Sequence, residues 1–507
     1  MLRFFVLFSC SFLFMSASLQ AVTQDQVTIS RPYIVSIKTR STVAAYNSEG
    51  TTSGTGSIID KKNGILLTNA HVVGVDKVVP YYEITLFNGR EIRANLLYVD
   101  PWHDFAFLKV REEDIYKLPA EIPIDNREVA VGEQVYMIGK NENKPFSPQS
   151  GMIANPFEAM DLLPNQVFRI SLNAQGGASG SPVFTQSNQA IGLVHASDGV
   201  TSAFALPISY AVDALKAIHE GKIPSRHSCG IILKYSSLDD YVRFYNFPND
   251  IADKYRQKFP NSFNRILVIT SILVSSPAET VFEVGDVVTH VNDAEIGPNL
   301  YLFDKIINEA ALTKQNEEIE ITVIRRGKVM ALKVKTYDLH QRKIKKILQF
   351  GGAFFYEADD AIIRRTGARD HRVFITNIRP GSSFFESLPM LPRSSSTLVC
   401  LTKINEKNIS SLQDLIDLIP TLMEQKDFSL VFKNYGVEFG IDSLPIFAQV
   451  PQTQSISYSR HDGLPEVYTF NPEKRAWSVE AISTQNSLAP TTQPVTSLSD
   501  LPQVSKS

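Results

Sequence analysis

Cysteine is scarce in this chain, with three in 507 residues, and one of them, Cys10, lies in an apolar leader. Cys229 and Cys400 stand far apart in different predicted units, which excludes a disulfide framework, and they read as buried small hydrophobes. No Cys or His pairs occur at ligand spacing, so a structural zinc has no donors. An excess of one charge is also missing: 50 Lys and Arg against 53 Asp and Glu leave a net charge of -3, with no global field to collect nucleic acid. The short basic runs Arg325-Arg326, Arg342-Lys343 with Lys345-Lys346, and Arg364-Arg365 lack interleaved aromatics and read as solvated faces. After the leader no stretch of 18 apolar residues remains, which excludes an integral membrane segment in the mature chain.

The leader itself, MLRFFVLFSCSFLFMSASLQA, sets one Arg before an apolar run from Phe4 to about Met15 and then small residues up to Ala21. The run is shorter than the roughly 20 residues a spanning helix needs, and the pattern is that of a secretory signal peptide over residues 1–21. Phe8 occupies the place where a lipid-anchoring site takes a small residue. The expectation is an exported protein, periplasmic if the source is a Gram-negative bacterium, or secreted.

A chain of this length exceeds one core. Residues 29–222 read as a dozen short strands separated by turns, among them GSIID and ILLTNAHVV around Asn63-Gly64, and EITLF and REIRANLLYV around Asn88-Gly89. Asn-Gly between apolar runs predicts a hairpin with a type I′ turn. That number of strands suits two packed barrels, closed by a helix over about Ser209–His219 with Gly221 as its stop. Residues 229–338 and 345–442 form an internal repeat. THVNDAEI at 289–296 and TKINEKNI at 402–409 match in spacing, each is followed by a helix and a strand, and each is preceded by a Ser-rich turn with Pro. The helix of the second copy, SLQDLIDLI, starts at Ser410 or Ser411 as N-cap. Residues 443–507 turn polar, rich in Ser, Thr, Gln and Pro, and are expected to be largely disordered because they bury too little apolar area to offset ordering entropy.

Three segments carry chemistry. In QGGASGSPVF, small residues crowd around Ser179, so that a peptide carbonyl could approach the backbone while the amides of Gly177 and Ser179 converge on a developing oxyanion. TNAHVV places His71 at the end of a strand, and PWHDFAFLKV places Asp104 just before one, where an acid facing a core needs a partner. The three appear in the order His, Asp, Ser, 33 and then 75 residues apart. His103 is the nearest competitor for the base, but neighbours on an extended chain point to opposite sides.

Together GTGSIID, LLTNAHVV, HDFAFLKV and GGASGSPVF resemble the trypsin-like serine protease clan, and the downstream repeats resemble its HtrA/DegP branch. The resemblance covers about residues 29–442. It implies a mainly β chain: a chymotrypsin-like double β-barrel followed by two small α+β domains of PDZ type. By motif it makes Ser179 the nucleophile, His71 the general base, Asp104 its orienting acid, and the Gly177 and Ser179 amides the oxyanion hole. It implies a serine endopeptidase without metal or organic cofactor, acting on unfolded or damaged polypeptides, with PDZ modules taking protein C-termini, and a homo-oligomer, by family a trimer. The substrate pocket is placed near Gln175 and along Val194, His195 and Ala196. His195 reads either as a selector of an acidic residue or as a buried histidine with a backbone partner. Gly230, Ile231 and Ile232 resemble the PDZ loop that receives a terminal carboxylate. In the second copy Gly351-Gly352-Ala353-Phe354 takes that place, while Leu398-Val399 stands where Gly285-Asp286 stood and PMLPRSSS is inserted; peptide binding there and packing on the protease or a neighbouring subunit are equal readings.

Two departures from the family matter. Ala178 stands where the clan has Asn or Asp before the nucleophile, and Ser181 where HtrA proteins have Gly, although a Gly-Ser-Pro ending resembles the glutamyl-endopeptidase branch. No long insertion precedes His71, which argues against a large cage assembly. The rival class is a scaffold or chaperone-like binding protein whose Ala178 loop cannot form the oxyanion hole.

Overall fold

The computed structural model describes residues 22–41, 43–44, 50–74, 77–78, 80–142, 144–159, 165–313, 318–360, 362–363, 372–376, 378–387, 397–436, 451–471 and 476–483. The leader, Arg364-Arg365, the PMLPRSSS insertion and the chain after 483 lie outside the described residues. The chain is mainly β. Six strands close one barrel in the order Ile34–Ser41, Gly50–Asp60, Ile65–Thr68, Ala106–Val110, Glu91–Val99 and Tyr81–Leu86. Six more close a second: Lys144–Ala159, Gln166–Ile170, Ala203–Pro207, Ala190–Ser197, Pro182–Thr185 and Gln134–Asn141. Apolar residues on the inward faces, such as Val35, Ile37, Leu66 and Leu108 in the first barrel and Val135, Ile153 and Val183 in the second, are fully buried. No described helix is long and apolar enough to cross a membrane.

Both Asn-Gly hairpins form, but not with type I′ turns. Only the glycines take positive φ, 64° at Gly64 and 79° at Gly89. Gly89 closes a three-residue loop in which its N–H donates to the Leu86 carbonyl and the Leu86 N–H donates to that of Arg90. A loop of that length uses a type I turn ended by one left-handed residue.

The helix Ser209–His219 ends the barrel region and stops where Gly221 turns at φ 72°. A sheet of Ile231–Ser237, Arg265–Ile272, Val287–Val291, Ile319–Arg325 and Lys328–Val334 follows, packed on the helix Leu300–Thr313. A larger sheet then carries Gln452–Ser457, Asp427–Gly436, Thr397–Ile404, Val373–Thr376, Ala353–Glu357, Lys346–Phe350, Glu466–Asn471 and Ala476–Ala481 in that order, with the helix Leu412–Gln425 on it, N-capped by Ser411. The expectation of a largely disordered stretch from 443 is therefore corrected for 452–481. Gln452–Ser457 pairs with Asp427–Phe432, and the hairpin 466–481 pairs with Lys346–Gln349. These strands add to edges that are already folded and bring apolar side chains with them: Ile456 and the following Tyr458 are buried in the core, and Val467, Tyr468 and Trp477 pack against it.

The repeat is visible bond by bond. Leu273 N–H donates to the Gly230 carbonyl and Arg379 N–H to that of Gly352, both at 2.8 Å. Ile296 N–H donates to Thr289 and Ile409 N–H to Thr402, both at 2.9 Å. Asn292 and Asn405 share φ 50°, and each side-chain oxygen accepts a strand amide, from Glu320 and Ser429. Cys229 and Cys400 are buried and unbonded to each other. Not every basic run is solvated: Arg325 forks onto Asp286 at 2.8 and 2.7 Å, and Lys343 donates to the Val99 carbonyl at 2.6 Å, where burial draws its ammonium down to about 8.

Candidate active site

The first barrel delivers a histidine and an acid from neighbouring strand ends. After Ile65–Thr68 the chain makes one short helix, Ala70–Val73, with Asn69 before it and Gly74 after it at φ 74°. His71 thus lies in a helical turn rather than on the strand. Asn69 is fully buried, and its amide donates to the Asp104 carbonyl at 2.7 Å. The Asp104 carboxylate, 6% exposed, accepts the His71 backbone N–H on Oδ1 at 2.9 Å and faces His71 Nδ1 with Oδ2 at 2.7 Å. A carboxylate only accepts, so Nδ1 carries the hydrogen and Nε2 is left as the base.

Charge follows from this packing. Burial opposes the Asp104 carboxylate, but the charge of His71 and the hydrogen bonds from His195 and His71 outweigh it and hold the carboxyl far below its usual range. Burial likewise opposes the His71 imidazolium, and Asp104, by charge and hydrogen bond, outweighs it, so His71 titrates above its ordinary value.

The second barrel delivers Ser179 on a loop that the first barrel pins. Gln175 to Ala178 form a turn, Ala178 N–H donating to the Gln175 carbonyl at 3.0 Å with Gly177 at φ 97°. Thr55 grips the loop twice, its N–H donating to the Ser179 carbonyl at 2.8 Å and its Oγ1 to the Gly177 carbonyl at 3.0 Å. A side chain at Gly54 would meet Val72 at 2.6 Å and the Ser179 carbonyl at 3.0 Å, and one at Gly180 the Thr55 carbonyl at 2.1 Å. The glycines of GTGS, on the strand Gly50–Asp60, and of ASGS therefore let strand and loop interlock, which holds the Ser179 loop beside Val72 of the turn that carries His71. Ala178 is buried in the second barrel's core, so it braces the loop by packing where a polar residue would brace it by hydrogen bonds. Among the described residues the Gly177 and Ser179 amides have no internal acceptor, and no hydrogen bond joins Ser179 to His71.

Residues 54–193 match the family described as a trypsin-like peptidase domain. This stretch is a trypsin-like peptidase domain. The chain is 26% identical over 457 residues to pro-apoptotic serine protease NMA111 of Kluyveromyces lactis, covering 87% of this chain and 44% of that one. It is 24% identical over 491 residues to Protease Do-like 7 of Arabidopsis thaliana, covering 90% and 42%. The chain thus spans about two fifths of the length of the curated relatives it matches. Among solved structures, HtrA-type protease AlgW with tripeptide aligns over 62% of this chain and 96% of its own, at 20% identity and a TM-score of 0.45.

Around the peptidase domain's triad candidates the structure rearranges several expectations. Of the four residues assigned to a substrate pocket, only Gln175 and Ala196 stay part-exposed. Val194 turns into the barrel core, and the buried His195 turns its Nδ1 to Asp104 Oδ2 at 3.0 Å, a side-chain partner the sequence did not suggest. His103 looks away from the site. Its Nδ1 lies 3.1 Å from Asp100 and its Nε2 3.3 Å from Asp304 on the helix Leu300–Thr313.

The loop Gly230, Ile231 and Ile232 is not open to solvent. The Gly230 N–H donates to Ser228 Oγ at 3.0 Å, and Trp102 of the peptidase domain packs with Ile232, Leu273 and Leu339. A cavity of about 280 Å³ lies between Ile231, Leu233, Phe303 and Ile307 on one side and His103 and Tyr210 of the peptidase domain on the other. In the second copy Gly351-Gly352 form the turn of a hairpin, and the outer edge of Ala353–Glu357 is paired with Lys346–Phe350. Asn69 and Thr55 lie inside the TNAHVV and GTGSIID motifs, yet neither they nor Asp100 carry a local sequence signal for these contacts.

Proposed function

We propose that this chain is a serine endopeptidase that cleaves unfolded or damaged polypeptides outside the cytoplasm. Ser179 is the nucleophile, His71 the base, Asp104 the group that orients and stabilises the His71 cation, and the Gly177 and Ser179 amides bind the oxyanion. The observation that carries the reading is the 2.7 Å contact of His71 Nδ1 with a buried Asp104, on the turn against which the Ser179 loop is locked by Thr55. Ser179 Oγ loses its proton to His71 Nε2 as it attacks the carbonyl carbon. The proton then passes to the leaving amine, and water repeats the cycle on the acyl-enzyme. The contact between Ser179 and His71 forms when substrate orders the site, since such bonds are often long in unliganded enzymes.

Export rests on residues 1–21 and trimeric assembly on resemblance alone. The first repeat is the module that takes polypeptide ends, between Ile231–Ser237 and the helix Leu300–Thr313. Because the peptidase domain walls that groove, an incoming end competes with the packing of His103 and Trp102.

The test compares the chain from Val22 with its Ser179→Ala variant, on an unfolded protein substrate and on a serine-reactive phosphonate. Cleavage and labelling by the parent alone support the assignment. Cleavage retained by Ser179→Ala would refute Ser179 as the nucleophile, and none by either protein with C-terminal peptides present would favour the scaffold reading.

A further inference from the structure

The strand Ala190–Ser197 pairs with Ala203–Pro207 as Val194 with Ala205 and then Ala196 with Phe204, so His195 is an extra residue on its strand. Such a bulge takes one side chain out of alternation and re-aims it. The re-aimed imidazole is 3% exposed, and its Nδ1 stands 3.0 Å from Asp104 Oδ2, the oxygen that also faces His71 Nδ1 at 2.7 Å. Two imidazoles from two barrels therefore share one carboxylate oxygen. Since that oxygen only accepts, both Nδ1 atoms carry hydrogen.

We propose that His195 is a positioning residue of the catalytic group, a fourth member whose Nδ1–H holds the Asp104 carboxylate in place and shares its charge with His71. This rests on the endopeptidase reading above. With the His71 backbone N–H on Oδ1, the two Nδ1–H donors on Oδ2 fix the carboxylate plane, and rotation about Cβ–Cγ would break all three bonds. Sharing also moderates the pull of Asp104 on the His71 proton, so that His71 keeps its base strength without being locked as the cation. The titratable groups facing Asp104 are His71, from the short helix of the first barrel, and His195, from the second. Asn69 meets only its carbonyl, and His103 turns to Asp100 and Asp304. A histidine that merely filled the core would be indifferent to the ionisation of His71; this one is coupled to it.

The experiment uses His195→Ala and His195→Asn in the chain from Val22, because an Asn Nδ2 stands close to where the imidazole Nδ1 stood. Phosphonate labelling rates and turnover of an unfolded protein substrate are measured from pH 5 to 9. The His71 titration is followed by NMR of Cε1-labelled histidine in the Ser179→Ala background. Loss of a hydrogen bond to a charged group predicts a fall of about 10- to 100-fold in turnover for His195→Ala, with KM within about twofold. The acid limb and the His71 titration move to higher pH, by roughly half a unit, because Asp104 is left to His71 alone. His195→Asn restores most of the rate and the parent limb. The proposal is overturned if folded His195→Ala keeps the parent limb and His71 titration, or if His195→Asn does no better than His195→Ala. Should His195→Ala fail to fold, the Asn variant decides alone: within about twofold of the parent supports the proposal, and a tenfold loss with an unshifted limb defeats it. A parent without turnover defeats the endopeptidase reading instead, while the NMR titration still reads the coupling.

Discussion

Asp100→Asn tests the account of how the repeats are tied to the peptidase domain. The Asp100 carboxylate is fully buried and accepts from Trp102 N–H at 3.0 Å, His103 N–H at 2.7 Å, His103 Nδ1 at 3.1 Å, Tyr98 OH at 3.0 Å and Arg226 Nε. Burial opposes its charge, but Arg226 and His103 outweigh that and hold the carboxyl well below its usual range. An amide in its place turns one accepting oxygen into a donor, aimed either at Arg226 and Tyr98 or at the 102–103 amides. It also leaves the Arg226 guanidinium buried without its counter-charge. Removing one partner of a buried pair costs about 3–5 kcal/mol. For a unit of this size each kcal/mol lowers Tm by about 2–4 °C, so the lower bound predicts a fall of about 6–12 °C. Differential scanning fluorimetry reads the shift, and limited proteolysis of the 222–228 link, which carries Arg226, reads loosening of the join. Asp100→Asn with Arg226→Met removes the orphaned charge and should recover part of the loss. A single variant within about 2 °C of the parent, or a double variant no better than the single, would show that the Asp100–Arg226 pair does not hold the join.

Three further outcomes follow from the geometry. Because Asp104 holds His71 above its ordinary value of 6.5, and His71 must be neutral to act as base, the acid limb of kcat/KM lies above pH 6.5; a limb below 6 counts against the triad. Ser181 Oγ is buried without a hydrogen-bond partner among the described residues, so Ser181→Ala should raise stability by about 1 kcal/mol, read as a higher Tm, and a lower Tm would contradict this. Burial lowers and Asp100 and Asp304 raise the His103 titration, with a net rise. A raised folded value stabilises fully below 6.5 and is lost as pH climbs through that higher folded value, so parent Tm should fall in this window and His103→Gln should flatten the fall.

The barrels and the order His71, Asp104, Ser179 were legible because strand alternation, turn residues and small-residue crowding are local signals. What was not legible depended on contacts between segments far apart. His195 alternates with core residues until a bulge, set by pairing with Phe204 and Ala205, turns it onto Asp104. Thr55 looks like one polar residue in GTGS until Gly177, 122 residues on, and Ser179 arrive. The strands 466–471 and 476–481 carry Val467, Tyr468, Phe470, Trp477 and Val479, apolar residues that the polar average of the chain after 443 hides.

The two copies of the repeat use one backbone pattern for different ends, and the sheet edges show why. A peptide adds to such a module as one more strand, so it needs an unpaired edge beside the helix. In the first copy Ile231–Ser237 is the last strand of its sheet, and what stands over the groove is side-chain packing from the peptidase domain: Trp102 on Ile232, and Phe157 against Tyr235 with ring centroids 6.0 Å apart. In the second copy the equivalent strand, Ala353–Glu357, is paired along Ala353–Tyr356 with Lys346–Phe350, itself paired with the hairpin 466–481. Opening the first edge requires a rigid-body separation that exposes side chains; opening the second requires unpairing a continuous sheet, at the cost of several main-chain hydrogen bonds with no gain beyond those the peptide returns. On the proposed reading, a strand-adding polypeptide end would therefore find its edge in the first copy and not the second. Just before the second copy, Lys343 donates to the Val99 carbonyl at 2.6 Å, which ties the segment between the two copies to the first barrel.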